Sequence, residues 1–367
     1  MKILFDNQIF CTQKFGGVSR YHIELAKQLT SKFGDRVVIP VWHTRNVYLA
    51  DYLNKSYQEL HKGKLAAKWI ERINTAKVII HLLLKKYDVV HFTWYHSYLI
   101  KFCNRQKIII TIHDMIQELY KTDSLTVERK KSALYRADGI IAISENTKRD
   151  ILNLYPDIPK EKIQVIYHGT NHLKSPKAPK DFKLPEKYVL YVGVRNNYKN
   201  AAILMKAMSQ VCKRIDDVCV LFIGGGMFSA EEEKLLNELK IKDRVLQKNV
   251  MDEELAYIYQ NAACFVYPSM YEGFGFPILE AFDNKCPVIC SNTSSLPEVG
   301  GDAAMYFAPD NYGELTAQIE KVLSDPDLRQ SYIERGLERV KEFTWEKTAQ
   351  ETRSFYSKIV SKESARK

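Results

Sequence analysis

The sequence predicts an α/β protein of two doubly wound domains, each a parallel sheet with helices on both faces. Three observations carry that prediction. Short, nearly continuous apolar runs alternate with helical patterns from end to end, as expected of parallel strands buried on both faces. A stretch rich in Pro and Lys, SPKAPKDFKLPEK (175–187), interrupts the alternation, and the pattern then restarts, which marks it as a linker. Finally, 367 residues exceed what a single hydrophobic core usually organises.

In order, the first set of strands is KILFD (2–6), RVVIPV (36–41), DVVHF (88–92), KIIITI (107–112), GIIAI (139–143) and KIQVI (162–166). Helical segments such as SRYHIELAKQL (19–29) and VERKKSALYRA (127–137) lie between them. The second set is YVLYVGV (188–194), VCVLFIG (218–224), RVLQK (244–248), CFVYP (264–268) and PVICS (287–291). Domains are therefore expected at 1–175 and 176–344. The last helical run, WEKTAQETRSFYSKIV (345–360), either caps the second domain or returns to the first.

Composition narrows the function classes. MKILFDNQIF, broken by Asp6, does not read as a signal segment, and no apolar run approaches the ~18 residues of a membrane span. Seven cysteines without a C-x-x-C pair predict reduced thiols in a cytoplasmic protein. Cys286 and Cys290 bracket PVI and are expected in the core. His168 and His172 have metal-like spacing but sit in a glycine turn without a Cys or carboxylate cluster, so no metal site is predicted. The net charge of +10 is uneven: residues 1–175 carry 28 Lys and Arg against 16 Asp and Glu, and the remainder 26 against 28. The basic half fits an anionic partner, whether nucleic acid, membrane surface or phosphorylated acceptor, or simply a lysine-rich solvated surface. Within it, residues 62–86 combine Lys62, Lys64, Lys68, Arg72, Lys77, Lys85 and Lys86 with an apolar helical face at Leu65, Trp69, Ile73, Ile80 and Leu84. That face predicts a helix covering the first sheet with its basic side in solvent; an interfacial membrane helix anchored by Trp69 has the same pattern.

Ligands of open parallel sheets bind beyond the carboxyl ends of the strands, so the residues that follow each strand are the candidates. Gly16 and Gly17 precede a helix and permit close backbone approach by an anion, or form a plain tight turn. His113 and Asp114 follow KIIITI, a titratable pair or a structural one with Asp114 capping the next helix. After YVLYVGV come Arg195 and Lys199, a planar fork and a point charge suited to a diphosphate. Lys199 stands at the start of a helix, where its charge opposes the dipole and asks for an anion. Gly224, Gly225 and Gly226 do not form a dinucleotide fingerprint. The stretch YPSMYEGFGFPILEA (267–281) reads as strand, glycine loop and helix N-terminus, with Pro277 in the first turn. Such a terminus favours an anion, and Glu272 and Glu280 around it, acceptor-only groups, suit hydroxyls. A nucleotide sugar combines both chemistries; a well-capped first turn explains the same residues.

Together these segments resemble glycosyltransferase family 4. The resemblance rests on FGGVSRYHIELAKQL near the start, TIHDMIQELY (111–120), AISENTKRDIL (142–152), YVGVRNNYKN (191–200) and the E-x7-E spacing within 267–310. It implies the GT-B fold, two Rossmann-like domains facing across a cleft with the final helix (345–367) crossing back to the first. It implies an acceptor-binding first domain, a donor-binding second domain and retention of configuration. His113, Arg195, Lys199 and Glu272 would be the catalytic residues. Gly16, Gly17, Asp114, Gly225, Val250, Gly273, Phe274, Gly275, Phe276 and Glu280 would join Arg195, Lys199 and Glu272 in holding the donor, with Glu272 on the transferred sugar and Glu280 on the ribose. Two positions depart from the family pattern: Val194 stands where the basic residue often follows the strand glycine, and Phe276 replaces the usual Leu. The implied donor is a nucleotide-diphosphate sugar, with GDP-mannose favoured over UDP- or dTDP-sugars and no cofactor or metal required. The implied acceptor is a glycan or lipid-diphosphate-linked intermediate of surface polysaccharide at an anionic membrane face. An epimerase or phosphorylase on a related scaffold is the competing enzyme class. A basic nucleic-acid-binding protein is the non-enzyme alternative, although no nucleic-acid module is visible.

Overall fold

The computed structural model describes residues 1–54, 64–103, 106–170, 176–195 and 197–364. His172 and Lys62 lie outside these residues, as do the side chains of Lys64 and Leu65. The chain divides into two compact units, Met1–Gly169 with Thr344–Lys367, and Thr170–Phe343.

In the first unit, strands β1 (Lys2–Phe5), β2 (Arg36–Val38), β3 (Val89–Phe92), β4 (Lys107–Ile112), β5 (Gly139–Ala142) and β6 (Ile163–Val165) form one sheet in the order β2-β1-β3-β4-β5-β6. All of its pairings are parallel. The central strands are buried along their length, with Leu4, Val90, Phe92, Ile110 and Ile140 in one core, which is why they read as unbroken apolar runs. In the second unit, β7 (Lys187–Val192), β8 (Val218–Ile223), β9 (Val245–Lys248), β10 (Cys264–Tyr267), β11 (Val288–Ser291) and β12 (Ala304–Phe307) follow the order β12-β11-β10-β7-β8-β9, again parallel. The edge strand β12 was not expected from the sequence; its four residues pair with β11 from Val288↔Ala304 to Ser291↔Phe307.

The last helix, Trp345–Ser364, belongs to the first unit and packs on the helix Gly17–Phe33. Arg353 Nε donates to Asp35 Oδ2 at 2.9 Å, the Tyr356 hydroxyl meets His91 Nδ1 at 2.5 Å, and Thr348 Oγ1 donates to the Tyr167 carbonyl at 2.8 Å. Gly169 is needed where this segment returns, because the backbone of Thr344 and Trp345 occupies the space of any Cβ.

The basic segment forms the helix Lys64–Leu84, but with a different face inward from the one expected. Val78, Leu82 and Asn74 are buried, whereas Trp69, Ile73, Ile80 and Leu84 are exposed. Asn74 can be buried because its amide is satisfied there: Oδ1 accepts from Trp42 N at 2.9 Å and Nδ2 donates to the His43 carbonyl at 2.7 Å. A polar residue with two backbone partners thus displaces the apolar stripe from the core.

Candidate active site

The order of the second sheet fixes where a ligand belongs. From β7 the chain winds outward to β8 and β9 on one side, then returns to β10 and winds to β11 and β12 on the other. The switch point therefore lies between β7 and β10, and ligands of such sheets bind beyond the carboxyl ends at that point. Lys199 ends a 3-10 turn (Asn197–Lys199) after β7, and Glu272 follows β10. They meet: Lys199 Nζ lies 2.6 Å from Glu272 Oε1 and 3.4 Å from the Tyr267 hydroxyl. Both side chains are largely buried, at 16% and 10% exposure. The anion that Lys199 asks for is supplied in this structure by Glu272.

The loop carrying Glu272 is held from behind. Ser294 Oγ accepts from Glu272 N at 2.9 Å, and Ser295 Oγ donates to the carbonyls of Glu272 and Phe274, each at 2.9 Å. Ser294 takes a left-handed φ of 53° to do this, a conformation that a serine keeps only when its surroundings impose it. Gly275, at φ 112°, is the N-cap of the helix Phe276–Asp283, which has Pro277 in its first turn. A side chain at Gly275 would be strained by that φ and would press on Leu296. Gly273 and Phe274 are buried on this loop, and Phe276 is half-buried with its ring 5.4 Å from Phe274. Glu280, one turn further, faces another group. It adds to the rise in the pKa of the Tyr259 phenol, which burial already pushes well up. The two glutamates of the E-x7-E spacing are therefore placed apart in surroundings as well as in sequence.

Arg195 is not a free cation. Its Nε donates to Glu232 Oε1 at 2.7 Å, Nη1 to the Gly224 carbonyl at 3.1 Å, and Nη2 to the Gly226 and Met227 carbonyls at 2.9 Å. The guanidinium also lies 4.6 Å from the Phe228 ring. Glu232 is fixed in turn by a capping box with Ser229 at the start of the helix Ala230–Glu238. Arg195 thus braces the three-glycine loop after β8. With Gly225, Glu232 and Met227 it lines a cavity of about 730 Å³ that also reaches Asn200 and Met205, a volume in the range of small-molecule pockets. Val250, half-buried, follows β9.

In the first unit the switch point lies between β1 and β3. It is closed by a residue singled out in the sequence only for its charge. Buried Asp6 Oδ1 accepts from Thr93 N at 3.1 Å, Thr93 Oγ1 at 2.5 Å and Gln8 N at 3.2 Å, and Oδ2 accepts from Gln8 Nε2 at 2.6 Å. Gly16 caps the helix Gly17–Phe33 in extended backbone, and Gly17 has open space around it. His113 follows β4. It is buried, stacks on His168 at 5.6 Å and, among the described residues, has no hydrogen-bond partner at Nε2. Asp114 Oδ1 accepts from Ile116 N at 3.1 Å, which ties the loop to the start of the next helix, although the N-cap position itself is Met115. Behind this loop lies Lys130, a buried lysine that the sequence did not flag, whose Nζ donates to the Asp114 carbonyl at 2.9 Å. Among the described residues no group of three or more His, Cys, Asp or Glu could hold a metal ion.

His113 belongs to a buried set with His22, His91 and His168; His22 lies 5.2 Å from His91 and 6.0 Å from His113. Burial, then the neighbouring His113, holds His91 down at about 3; burial, then the Lys130 charge, does the same at His113. Burial also pushes His22 and His168 well below 6.5. Imidazoles of the unfolded chain take up protons below about 6.5 while His91 and His113 remain neutral to about 3, so native stability falls as pH drops through that window. Asp6 opposes the trend, because burial raises its carboxyl to about 6 and favours the folded state as pH falls from there to 3.8. His91 and His113 together outweigh Asp6 by one proton, a loss of about 1 kcal/mol per pH unit, and His22 and His168 add to it. Thermal midpoints measured from pH 7 to pH 5 are expected to fall steadily; a flat or rising series would contradict this account.

Two Rossmann-like parallel sheets, the second with a lysine–glutamate pair at its switch point beside a glycine-capped helix, are the architecture of GT-B glycosyltransferases. Residues 15–172 match the model of Glycosyltransferase Family 4, and residues 175–339 that of Glycosyl transferases group 1. The two matches together take in most of the chain, which is a glycosyltransferase made of a Glycosyltransferase Family 4 domain followed by a Glycosyl transferases group 1 domain. It is similar to O-antigen chain mannosyltransferase B of Escherichia coli, 27% identical over 97% of this chain and 99% of that one. It is also similar to O-antigen chain mannosyltransferase RfbU of Salmonella typhimurium, 28% identical over 72% of this chain and 81% of the relative. Among solved structures, Anabaena HepE in complex with UDP and glucose shares the fold with a TM-score of 0.75, at 17% identity over 98% of this chain and 100% of that one.

Proposed function

We propose that this glycosyltransferase acts with retention, moving a hexosyl group, mannose above others, from a nucleotide-diphosphate sugar to a glycan or lipid-linked acceptor of surface polysaccharide. The observation that carries the reading is the Lys199–Glu272 pair at the switch point of the second sheet. The O-antigen mannosyltransferase relatives supply the sugar. UDP in a neighbour of the same fold supports a nucleotide donor, and GDP-mannose is the first candidate.

In this reading the second unit holds the donor and the first takes the acceptor. Lys199 meets the charge that develops on the departing diphosphate, together with the N-terminus of the helix Phe276–Asp283. Glu272 orients the hydroxyls of the transferred sugar while it positions Lys199, and Glu280 serves the ribose. His113, neutral and buried with no partner at Nε2 among the described residues, would offer a hydrogen bond to a sugar hydroxyl or phosphate oxygen once the donor reaches it, and Asp114 holds its loop. Arg195 contributes by bracing the loop of Gly225, since a diphosphate would have to compete with Glu232 for its fork. The departing phosphate takes the acceptor's proton on the same face of the sugar, so no covalent carboxylate intermediate is required. The protein works in the cytoplasm at the inner face of the membrane.

A thermal-shift panel of GDP-, UDP-, dTDP- and ADP-sugars tests the donor assignment. The true donor at a hundredfold excess over its dissociation constant is expected to add about 2.7 kcal/mol of stability. A panel in which no nucleotide or nucleotide sugar moves the midpoint would remove the donor site.

A further inference from the structure

We propose that the outward face of the helix Lys64–Leu84 is a docking surface for an anionic lipid bilayer. Trp69, Ile73, Ile80, Leu83 and Leu84 are exposed at 60%, 39%, 45%, 56% and 74%. At 100° per residue they fall in one stripe about 100° wide, opposite the buried pole of Val78 and Leu82. The stripe is about 22 Å long at 1.5 Å per residue. It belongs to a helix already anchored to the first core, so these apolar groups are not held outward for want of a neighbour.

The charges beside the stripe identify the occupant. Lys68 and Arg72 are exposed along one side, and Lys85 and Lys86 follow its end. The Arg72 guanidinium lies 5.6 Å from the centre of the Trp69 ring. Lys77, on the other side, covers the half-exposed Trp42 ring at 5.2 Å. From 64 to 86 the sequence holds one acidic residue, Glu71. Tryptophan and basic side chains flanking a narrow apolar ridge suit the headgroup layer, where rings and stems bury and charges reach lipid phosphate. A second copy of this chain would bring two basic rims face to face, which like-charge repulsion opposes. No helix among the described residues is long and apolar enough to cross a membrane, so the contact lies on the surface.

The surface itself does not depend on the proposed reaction; its purpose, access to a lipid-linked acceptor, rests on that reading. Cosedimentation with vesicles of phosphatidylcholine alone and of phosphatidylcholine with one-third phosphatidylglycerol tests it without any substrate. The protein is expected to bind the anionic vesicles, to release at high salt, and to show a blue-shifted tryptophan emission that Trp69→Phe removes. The variant Trp69→Ser, Ile73→Ser, Ile80→Ser, Leu84→Ser changes exposed side chains. It is expected to lose more than about tenfold in partitioning while keeping its circular dichroism and its thermal response to the donor. No binding of wild type to anionic vesicles, or equal binding by the quadruple variant, overturns the proposal. So does a wild-type dimer that the variant dissolves, which would make the stripe a self-association face. A lost donor response with vesicle binding intact would instead count against the proposed function alone.

Discussion

Lys199→Ala is expected to lower turnover by on the order of 10²–10³ while leaving the second unit folded. The ammonium stands at the switch point with its position already set by Glu272 and Tyr267, so it stabilises a departing diphosphate without reorganising at the moment of reaction. The loss has a second component. Without Lys199 the largely buried Glu272 carboxylate would face an incoming diphosphate unneutralised, so donor affinity falls along with kcat. Lys199→Arg keeps the charge but brings a planar fork to a gap occupied by a point charge, and an intermediate rate is expected. Initial-rate kinetics, read beside the thermal midpoint, separate these effects from misfolding. Near-normal turnover in Lys199→Ala at an unchanged midpoint would sink the role assigned to this residue.

That pair shows how far the sequence could be read. Both residues were legible as strand-end groups, because buried parallel strands announce themselves as apolar runs and ligands gather beyond their ends. Their meeting was not legible, since 73 positions separate them and only the adjacency of β7 and β10 brings them together. Arg195 was legible as a cation but not as a brace. Its partner Glu232 is recruited by a Ser229 capping box, whose S-x-x-E spacing was there to be read. Asp6 and Thr93 left a weaker signal, a lone charge and a lone hydroxyl at the ends of buried strands.

The fold was legible in its two sheets, and the misses have local causes. The strand Ala304–Phe307 lies inside the stretch read as a family signature, and its apolar run is only four residues long at the edge of the sheet. In the helix Lys64–Leu84 periodicity correctly grouped the apolar positions, yet it cannot say which way a face turns when apolar residues occupy both poles. Asn74 decided that, through backbone partners around Trp42 and His43 that are distant in sequence.

Lys130→Met is expected to cost about 3–5 kcal/mol of stability in the first unit. The lysine side chain is fully buried, and its Nζ makes hydrogen bonds of 2.9 Å to the Asp114 carbonyl, Gln117 Oε1 and Glu118 Oε2. Its charge also lies 5.0 Å from the centre of the Tyr95 ring. Glu118 is itself 4% exposed and, among the described residues, has no partner at Oε1. Removing the ammonium therefore leaves a buried carboxylate uncompensated, which costs far more than the net worth of the pair. Adding Glu118→Leu to Lys130→Met removes the stranded charge, and the double variant is expected to recover most of the lost stability, a strong departure from additivity. Turnover should not recover with it, because the bond that anchors the Asp114 carbonyl beside His113 is still missing. Urea unfolding of wild type, both single variants and the double variant, with kcat for each, measures the whole cycle. A Lys130→Met loss within about 1 kcal/mol would show that solvent reaches this pair. A double variant that regains full turnover would show that the His113–Asp114 loop holds its place without Lys130.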